Sequence, residues 1–151
     1  MASRPKATSP VKDPFVSVRQ PPRRQPAVGD IWLLPARHVR SLKPGKRGAV
    51  AFCLLAIAEP DQQEGTARIH YVAGSRQRSS RKTVRVSPVE GVALEETTYF
   101  KFWASRSLAP PTIMSDGSWR GCLPAERRSE IEEAIRDSNL VALKLLLGRQ
   151  Q

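Results

Sequence analysis

The chain is 151 residues long and carries 25 Lys and Arg against 14 Asp and Glu, a net charge of +11 with a pI near 10.6. That length holds one domain with a core of its own but not two. A positive surplus this large favours polyanionic partners: nucleic acid first, an acidic membrane surface or an acidic protein second.

No apolar run is long enough to cross a bilayer and no charged-then-apolar leader opens the chain, so neither a membrane span nor secretion is expected. Cys53 and Cys122 are too few for a disulfide framework or a zinc site, and their apolar surroundings predict two buried free thiols in a reducing compartment. His38 and His70 lack partners at metal-ligand spacing. The expectation is a cytoplasmic protein that uses no metal and no other cofactor.

Residues 1–27 hold six of the thirteen prolines, six Lys or Arg against one Asp, and no apolar periodicity. Such a segment buries too little apolar surface to offset its ordering entropy, which predicts a disordered basic tail ending in the stiff spacer "QPPRRQP". From Val28 the texture changes. "VGDIWLL" predicts a short apolar strand after a Gly-Asp turn, and "GAVAFCLLAIA" (48–58) a central strand. "TARIHYVAG" (66–74) predicts a half-buried strand, and "KTVRVSP" (82–88) one with Val84 and Val86 inward and Arg85 outward. "TYFKFWA" (98–104) predicts another, its aromatics on one side and Lys101 on the other; "SWRGCL" (118–123) closes the set.

The period then becomes helical. "PAERRSEIEEAIRDSN" opens on Pro124 as a first helical residue and carries Ile131, Ala134 and Ile135 along one stripe. Ser138 or Asn139 recaps the chain, and "LVALKLLLG" forms a last short helix ending at Gly148. The fold class expected is mainly β with a C-terminal helix laid against a small curled barrel. The domain spans 28–138, followed by a short helix and tail over 139–151.

Two basic loops interrupt this pattern. The stretch 35–47 holds five Lys or Arg (Arg37, Arg40, Lys43, Lys46, Arg47), and 75–83 holds four (Arg76, Arg78, Arg81, Lys82). No acidic residue occurs between Ile31 and Ala58, or between Thr66 and Val89. Loops leaving one end of a barrel can converge on a single groove, and a groove of one sign attracts and orients a phosphate backbone.

Taken in order, "VGDIWLL", an arginine before the second strand, "YVAGS", "VEGVALEETTYFKFW" and "RGCLPAERRSEIEEAIRDS" resemble the MazF/PemK-like toxins over roughly residues 28–138. The resemblance implies a small SH3-like barrel of the MazF/PemK/CcdB type, usually homodimeric. It implies sequence-selective, metal-independent endoribonuclease activity on single-stranded RNA, held in check by an acidic antitoxin-like protein. It places the family's arginine on Arg47, with Gly48 where relatives commonly carry proline. It places the family's hydroxyl on Ser75, a serine where relatives usually carry threonine; Ser79, Ser80 and Thr83 offer further hydroxyls in the same stretch. Two readings from other classes stay open: a non-catalytic nucleic-acid-binding or regulatory module on the same barrel, and a protein-interaction toxin such as a topoisomerase poison.

Metal-free RNA cleavage needs a group to move protons at the 2′ and 5′ oxygens and donors for the charge that builds on the phosphate. A guanidinium donating two parallel hydrogen bonds suits the second task, which is the role expected of Arg47, with the Ser75 hydroxyl beside it. Neither is an obvious base near neutral pH. His38, in the first basic loop, is therefore a candidate for that role, although a loop histidine among arginines is more often a solvated side chain or a phosphate contact. Trp32, Trp103 and Trp119 are expected in the core or a dimer interface rather than stacked on bases. Arg106 either reaches the cleft or is a surface charge. Glu95 and Glu96, as neighbours on an extended chain, would point to opposite faces and form no catalytic pair.

Overall fold

The computed structural model describes residues 24–39, 50–60, 66–78, 83–88 and 92–150. Among these residues seven strands, β1 (Asp30–Pro35), β2 (Val50–Glu59), β3 (Arg68–Ser75), β4 (Thr83–Val86), β5 (Thr98–Lys101), β6 (Arg106–Leu108) and β7 (Ser118–Cys122), make one curled antiparallel sheet. Its order is β4-β5-β3-β2-β1-β7, with β6 also on β3. Three α-helices among the described residues accompany it: α1 (Pro110–Asp116), α2 (Arg128–Arg136) and α3 (Val141–Arg149). No helix among the described residues is long and apolar enough to cross a membrane.

Irregularities in the ladders favour the curl, because a bulge bends its strand and increases the local twist. Leu55 pairs with Tyr71 and Ile57 with His70, so Ala56 is an extra residue in β2. Alternation is thereby broken, and Leu54, Ala56 and Ile57 all join the inner cluster while Cys53 and Leu55 join the outer one. On the other edge, Ile31 pairs with Gly121 and Trp32 with Trp119, leaving Arg120 as the surplus residue of β7. Gly121 has a φ of +125°, a conformation that L side chains rarely adopt, which is why glycine stands there.

The inner, concave face is the main core. Ile31, Leu54, Val72, Val84, Val86 and Phe100 meet Ile131, Ala134 and Ile135 of α2 and Leu143, Leu146 and Leu147 of α3. The near-continuous apolar texture of β2 follows from cover on both faces, as helices close the inner one and α1 sits over part of the outer. There Trp32, Leu34, Cys53, Leu55, Ile69 and Tyr71 pack with Ile113 of α1. Burial pushes the Cys53 thiol up to about 12, so it is neutral and unreactive near pH 7. Where β3 meets β5 the sheet is tight. A Cβ on Gly74 would clash with the Thr98 methyl and lie 2.9 Å from the Phe100 ring.

The entry to β1 is held by a fully buried carboxylate. Asp30 accepts hydrogen bonds from Arg24 Nη2 (2.9 Å), the Ala27 N–H (3.0 Å) and Trp32 Nε1 (3.3 Å). Arg24 in turn lies 4.7 Å from the centre of the Trp119 ring. The carboxylate's cost of burial is met by these donors, and they fix the segment before β1 against β7.

The predicted strands all appear, with four differences. The aromatic run from Tyr99 does not stay in one strand. β5 ends at Lys101, the chain turns at Phe102 and Trp103, and β6 resumes along the same edge of β3. Its aromatics therefore do not share a side: Phe100 and Phe102 are buried, whereas Trp103 is 41% exposed. Second, β6 and α1 are additional to the predicted elements; α1 opens on a Pro-Pro pair suited to a first helical turn. Third, Pro124 has an extended ψ of 147° and precedes a 3-10 turn (Ala125–Arg127) rather than occupying it. Fourth, α3 runs through Gly148 to Arg149.

Of the tryptophans only Trp32 is in the core, since Trp119 is 44% exposed. Cys53 and Cys122 are free, and only Cys53 is fully buried. The stripe Ile131, Ala134, Ile135 is buried as expected. The turn after it is held by Ser138, whose hydroxyl donates to Ile135 O (2.6 Å) and accepts the Leu140 N–H (3.1 Å).

Candidate nucleic-acid interface

The ladder registers bring the two basic connections to one end of the sheet. Pro35 pairs with Val50, so the β1–β2 connection leaves where β2 begins. Cys53 pairs with Ala73, so β3 ends at that same place and the β3–β4 connection starts there. Arg40, Lys43, Lys46, Arg47, Arg81 and Lys82 lie outside the described residues. Of the other predicted site residues, Arg37, Arg76 and Arg78 are exposed and Ser75 is half-buried at the end of β3.

Ser75 lies between two cavities. The outer one, about 490 Å³, is lined by His38, Val39, Tyr71, Ser75, Lys101, Trp103 and Arg106, among others. The inner one, about 520 Å³, takes in Leu33, Phe52, Ser75, Arg76, Glu95, Glu96, Thr98 and Arg120. The Ser75 hydroxyl accepts the Gln77 N–H at 3.0 Å, which fixes its oxygen and leaves its proton available to a ligand.

In the inner cavity Arg76 is paired, whereas Arg120 Nε is buried with no hydrogen-bond partner among the described residues. Arg76 donates to Glu96 at 2.8 Å and to Glu95 at 3.4 Å, so the predicted phosphate contact is occupied by carboxylates. Glu95 and Glu96 fall on a bend, not a strand, which is why both reach one guanidinium instead of facing apart. In the outer cavity Lys101 and Arg106 have no carboxylate partner among the described residues. Lys101 Nζ sits 4.8 Å from the centre of the Trp103 ring, and Arg106 Nη1 donates to Arg37 O at 3.4 Å. The β5–β6 turn creates this arrangement by lifting Trp103 out of the sheet between a lysine and an arginine. An indole so exposed beside cations is a surface on which a base can stack.

The wall of the outer cavity is a polar cluster. The Tyr71 hydroxyl donates to His38 O at 2.6 Å, and burial pushes that phenol up to about 12, so it remains a donor at every ordinary pH. His38 Nε2 lies 2.9 Å from Asp116 Oδ2. Arg37 Nη2 approaches the same oxygen at 3.0 Å, and Ser115 Oγ donates to Oδ1 at 2.9 Å. Hydrogen bonds from His38, then Ser115 and Arg37, hold the Asp116 carboxyl below the usual carboxylate range. The arginine predicted to meet phosphate thus meets Asp116, across 79 positions of sequence. Among the described residues no group of three or more His, Cys, Asp or Glu is placed to hold a metal ion.

Charge counting alone missed Lys101, Trp103 and Tyr71. The available signal was the run "YFKFW", whose mixture of aromatics and a lysine fits a stacking surface as well as a strand. Arg106, which the sequence left open, lines the cavity. Compared with known protein families and with curated protein sequences, the chain has no match.

Proposed function

We propose that this protein is a MazF/PemK-like toxin on a small SH3-like barrel, a sequence-selective endoribonuclease that cuts single-stranded RNA without a metal. One observation carries the reading. The β1–β2 and β3–β4 connections leave the same end of the sheet, beside an outer cavity whose Lys101 and Arg106 have no carboxylate partner among the described residues. Unpaired cations along a concave surface attract a phosphate backbone, and Trp103 supplies a ring for a base taken out of a stack. Duplex bases are already stacked on one another, so this combination selects a single strand.

In this reading Arg47 stabilises the charge developing on the scissile phosphate, and the Ser75 hydroxyl donates to a phosphate oxygen from the cavity floor. The bond that breaks is P–O5′, and the attacking group is the neighbouring 2′-hydroxyl, so the products are a 2′,3′-cyclic phosphate and a 5′-hydroxyl. The reading also carries a homodimer, action in the cytoplasm, and an acidic antitoxin-like protein lying across the same cations.

The test is incubation of the purified protein with a long single-stranded RNA in chelator, beside an Arg47→Ala variant shown to be folded. Discrete fragments ending in 2′,3′-cyclic phosphate from the wild type alone are expected. Intact RNA from both would remove the enzymatic reading. Salt-sensitive RNA binding, or capture of an acidic protein with no RNA affinity, would then separate a binding module from a protein-interaction toxin.

A further inference from the structure

The cavity holds a group that addresses what Arg47 and Ser75 leave unfilled, a proton acceptor for the 2′-hydroxyl. Resting on the ribonuclease reading, we infer that His38 is the catalytic base and that Asp116 is its positioning residue. Four features of the molecule lead there.

First, the bond between His38 Nε2 and Asp116 Oδ2 assigns the ring's tautomer. Asp116 is ionised and can only accept, so Nε2 carries the proton and Nδ1 is the ring's acceptor. No bond engages Nδ1 among the described residues. Second, His38 lines the same cavity as Ser75, Lys101, Trp103 and Arg106, so its ring borders the space where the strand is proposed to lie. Third, the backbone that carries the ring is clamped from several sides. Tyr71 donates to His38 O, Arg106 donates to Arg37 O, and the Val39 N–H closes a tight turn onto Ala36 O. A base held this way loses little on reaching the transition state.

The fourth observation is an internal control. His70 forms a similar bond, Nε2 to Glu59 Oε1 at 3.0 Å, and its side chain is 14% exposed against 16% for His38. Exposure and first partner are thus nearly equal. Only the surroundings differ, since His70 lines neither cavity. An oriented histidine is common; one beside a concave cationic surface has a task.

The step balances within the cavity. His38 Nδ1 takes the 2′-hydroxyl proton as the 2′ oxygen forms its bond to phosphorus. The P–O5′ bond breaks, its electron pair stays on the 5′ oxygen, and that oxygen takes a proton from water. The imidazolium, stabilised by Asp116, returns its proton to solvent before the next turnover. Among the described residues, the titratable and charged groups that touch the ring or line the cavity with it are Asp116 on α1, Arg37 beside it, Tyr71 on β3, Lys101 at the end of β5 and Arg106 on β6. A general base acts only when unprotonated, so the rate should climb with pH until the ring has lost its proton.

The experiment measures initial cleavage rates in chelator from pH 5 to 8.5 for wild type, His38→Gln, His38→Gly with and without added imidazole, Asp116→Asn and His70→Gln. Binding is measured in parallel on an oligonucleotide made uncleavable by 2′-deoxy substitution. The expected result is a loss of about 10²–10⁴-fold in kcat for His38→Gln with the binding affinity kept. Its pH-dependent rise should vanish, imidazole should partly restore His38→Gly, and Asp116→Asn should displace the pH profile. His70→Gln should match wild type. If wild type cleaves and folded His38→Gln cleaves equally with the same pH profile, the assignment is overturned while the ribonuclease reading stands. Loss of binding in step with loss of rate, with no imidazole rescue, would also overturn it, making His38 a binding residue. If the wild type itself cleaves no RNA, both fall.

Discussion

The two faces of the curled sheet answer the same problem differently. The inner face is closed: α2 and α3 cover it with Ile131, Ile135, Leu143 and Leu147, and Phe100 at its centre is fully buried. The outer face is covered only in part by α1, around Ile113, and past its edge the surface opens into the cavity of Trp103 and Arg106. Near the inner face Arg76 is neutralised by Glu95 and Glu96, while Arg120 Nε is buried with no hydrogen-bond partner among the described residues. On the outer face two cations have no carboxylate partner among the described residues. The lesson is that the number of arginines in a loop predicts little about where phosphate can bind; the carboxylates already within reach decide it.

The sharpest way to break this contrast is Phe100→Ala. It should cost about 3–5 kcal/mol in urea unfolding, because a large ring leaves the centre of the inner core. Gly74→Ala comes next, at about 1–3 kcal/mol. Its methyl has no room beside Thr98 and Phe100, so the midpoint should fall although a propensity scale ranks alanine above glycine. Trp103→Ala tests the outer face, with an expected loss of about 1–3 kcal/mol in affinity for a single-stranded oligonucleotide. Its urea midpoint should stay near that of wild type, since the ring is 41% exposed.

Tyr71→Phe is expected to cost about 1 kcal/mol through the lost bond to His38 O. The sign of its pH dependence is fixed. The phenol is raised from 10 to about 12 in the folded state, so its contribution is complete below pH 10 and is lost as pH climbs through about 12. Tyr71→Phe should flatten that alkaline decline. Asp116 behaves oppositely: its carboxyl is depressed, so its contribution is present above the ordinary carboxylate range and disappears as pH falls through the lowered value. The finest comparison is of two arginines by the salt dependence of RNA binding. Arg106→Ala should lower the log–log slope by about 0.7, the release of roughly one phosphate's counterions, whereas Arg76→Ala should leave it unchanged.

Much of the fold was legible because alternation is a local property. Val84 and Val86 inward with Arg85 outward needed only the period of a strand. The helix stripe of Ile131, Ala134 and Ile135 needed only the period of a helix. What escaped depends on pairing between distant segments. Nothing in "TYFKFWA" says that β3 is long enough to hold two short strands on one edge, so the break after Lys101 is invisible there and Trp103 reads as a residue of the core or of a dimer interface. The site divided along the same line. Ser75 at the end of β3, and the departure of both connections from one end of the sheet, followed from strand order. The ties of Arg37 to Asp116 and of Arg76 to Glu96 did not, because they span 79 and 20 positions.

The arrangement of β5 and β6 has a consequence for how such a molecule changes over generations. Each strand is fastened to β3 by its own ladder, Gly74 to Phe100 on one side and Ile69 to Leu108 on the other. Insertions, deletions or exchanges over 103–105 can therefore accumulate with both registers in place and Phe102 kept in the inner core. A lineage could lengthen that turn, swap its tryptophan or re-aim it, and so acquire a new preference in what it grips. The architecture separates a part that must be inherited whole from a short part that is free to vary, and it puts the variable part at the mouth of the cavity.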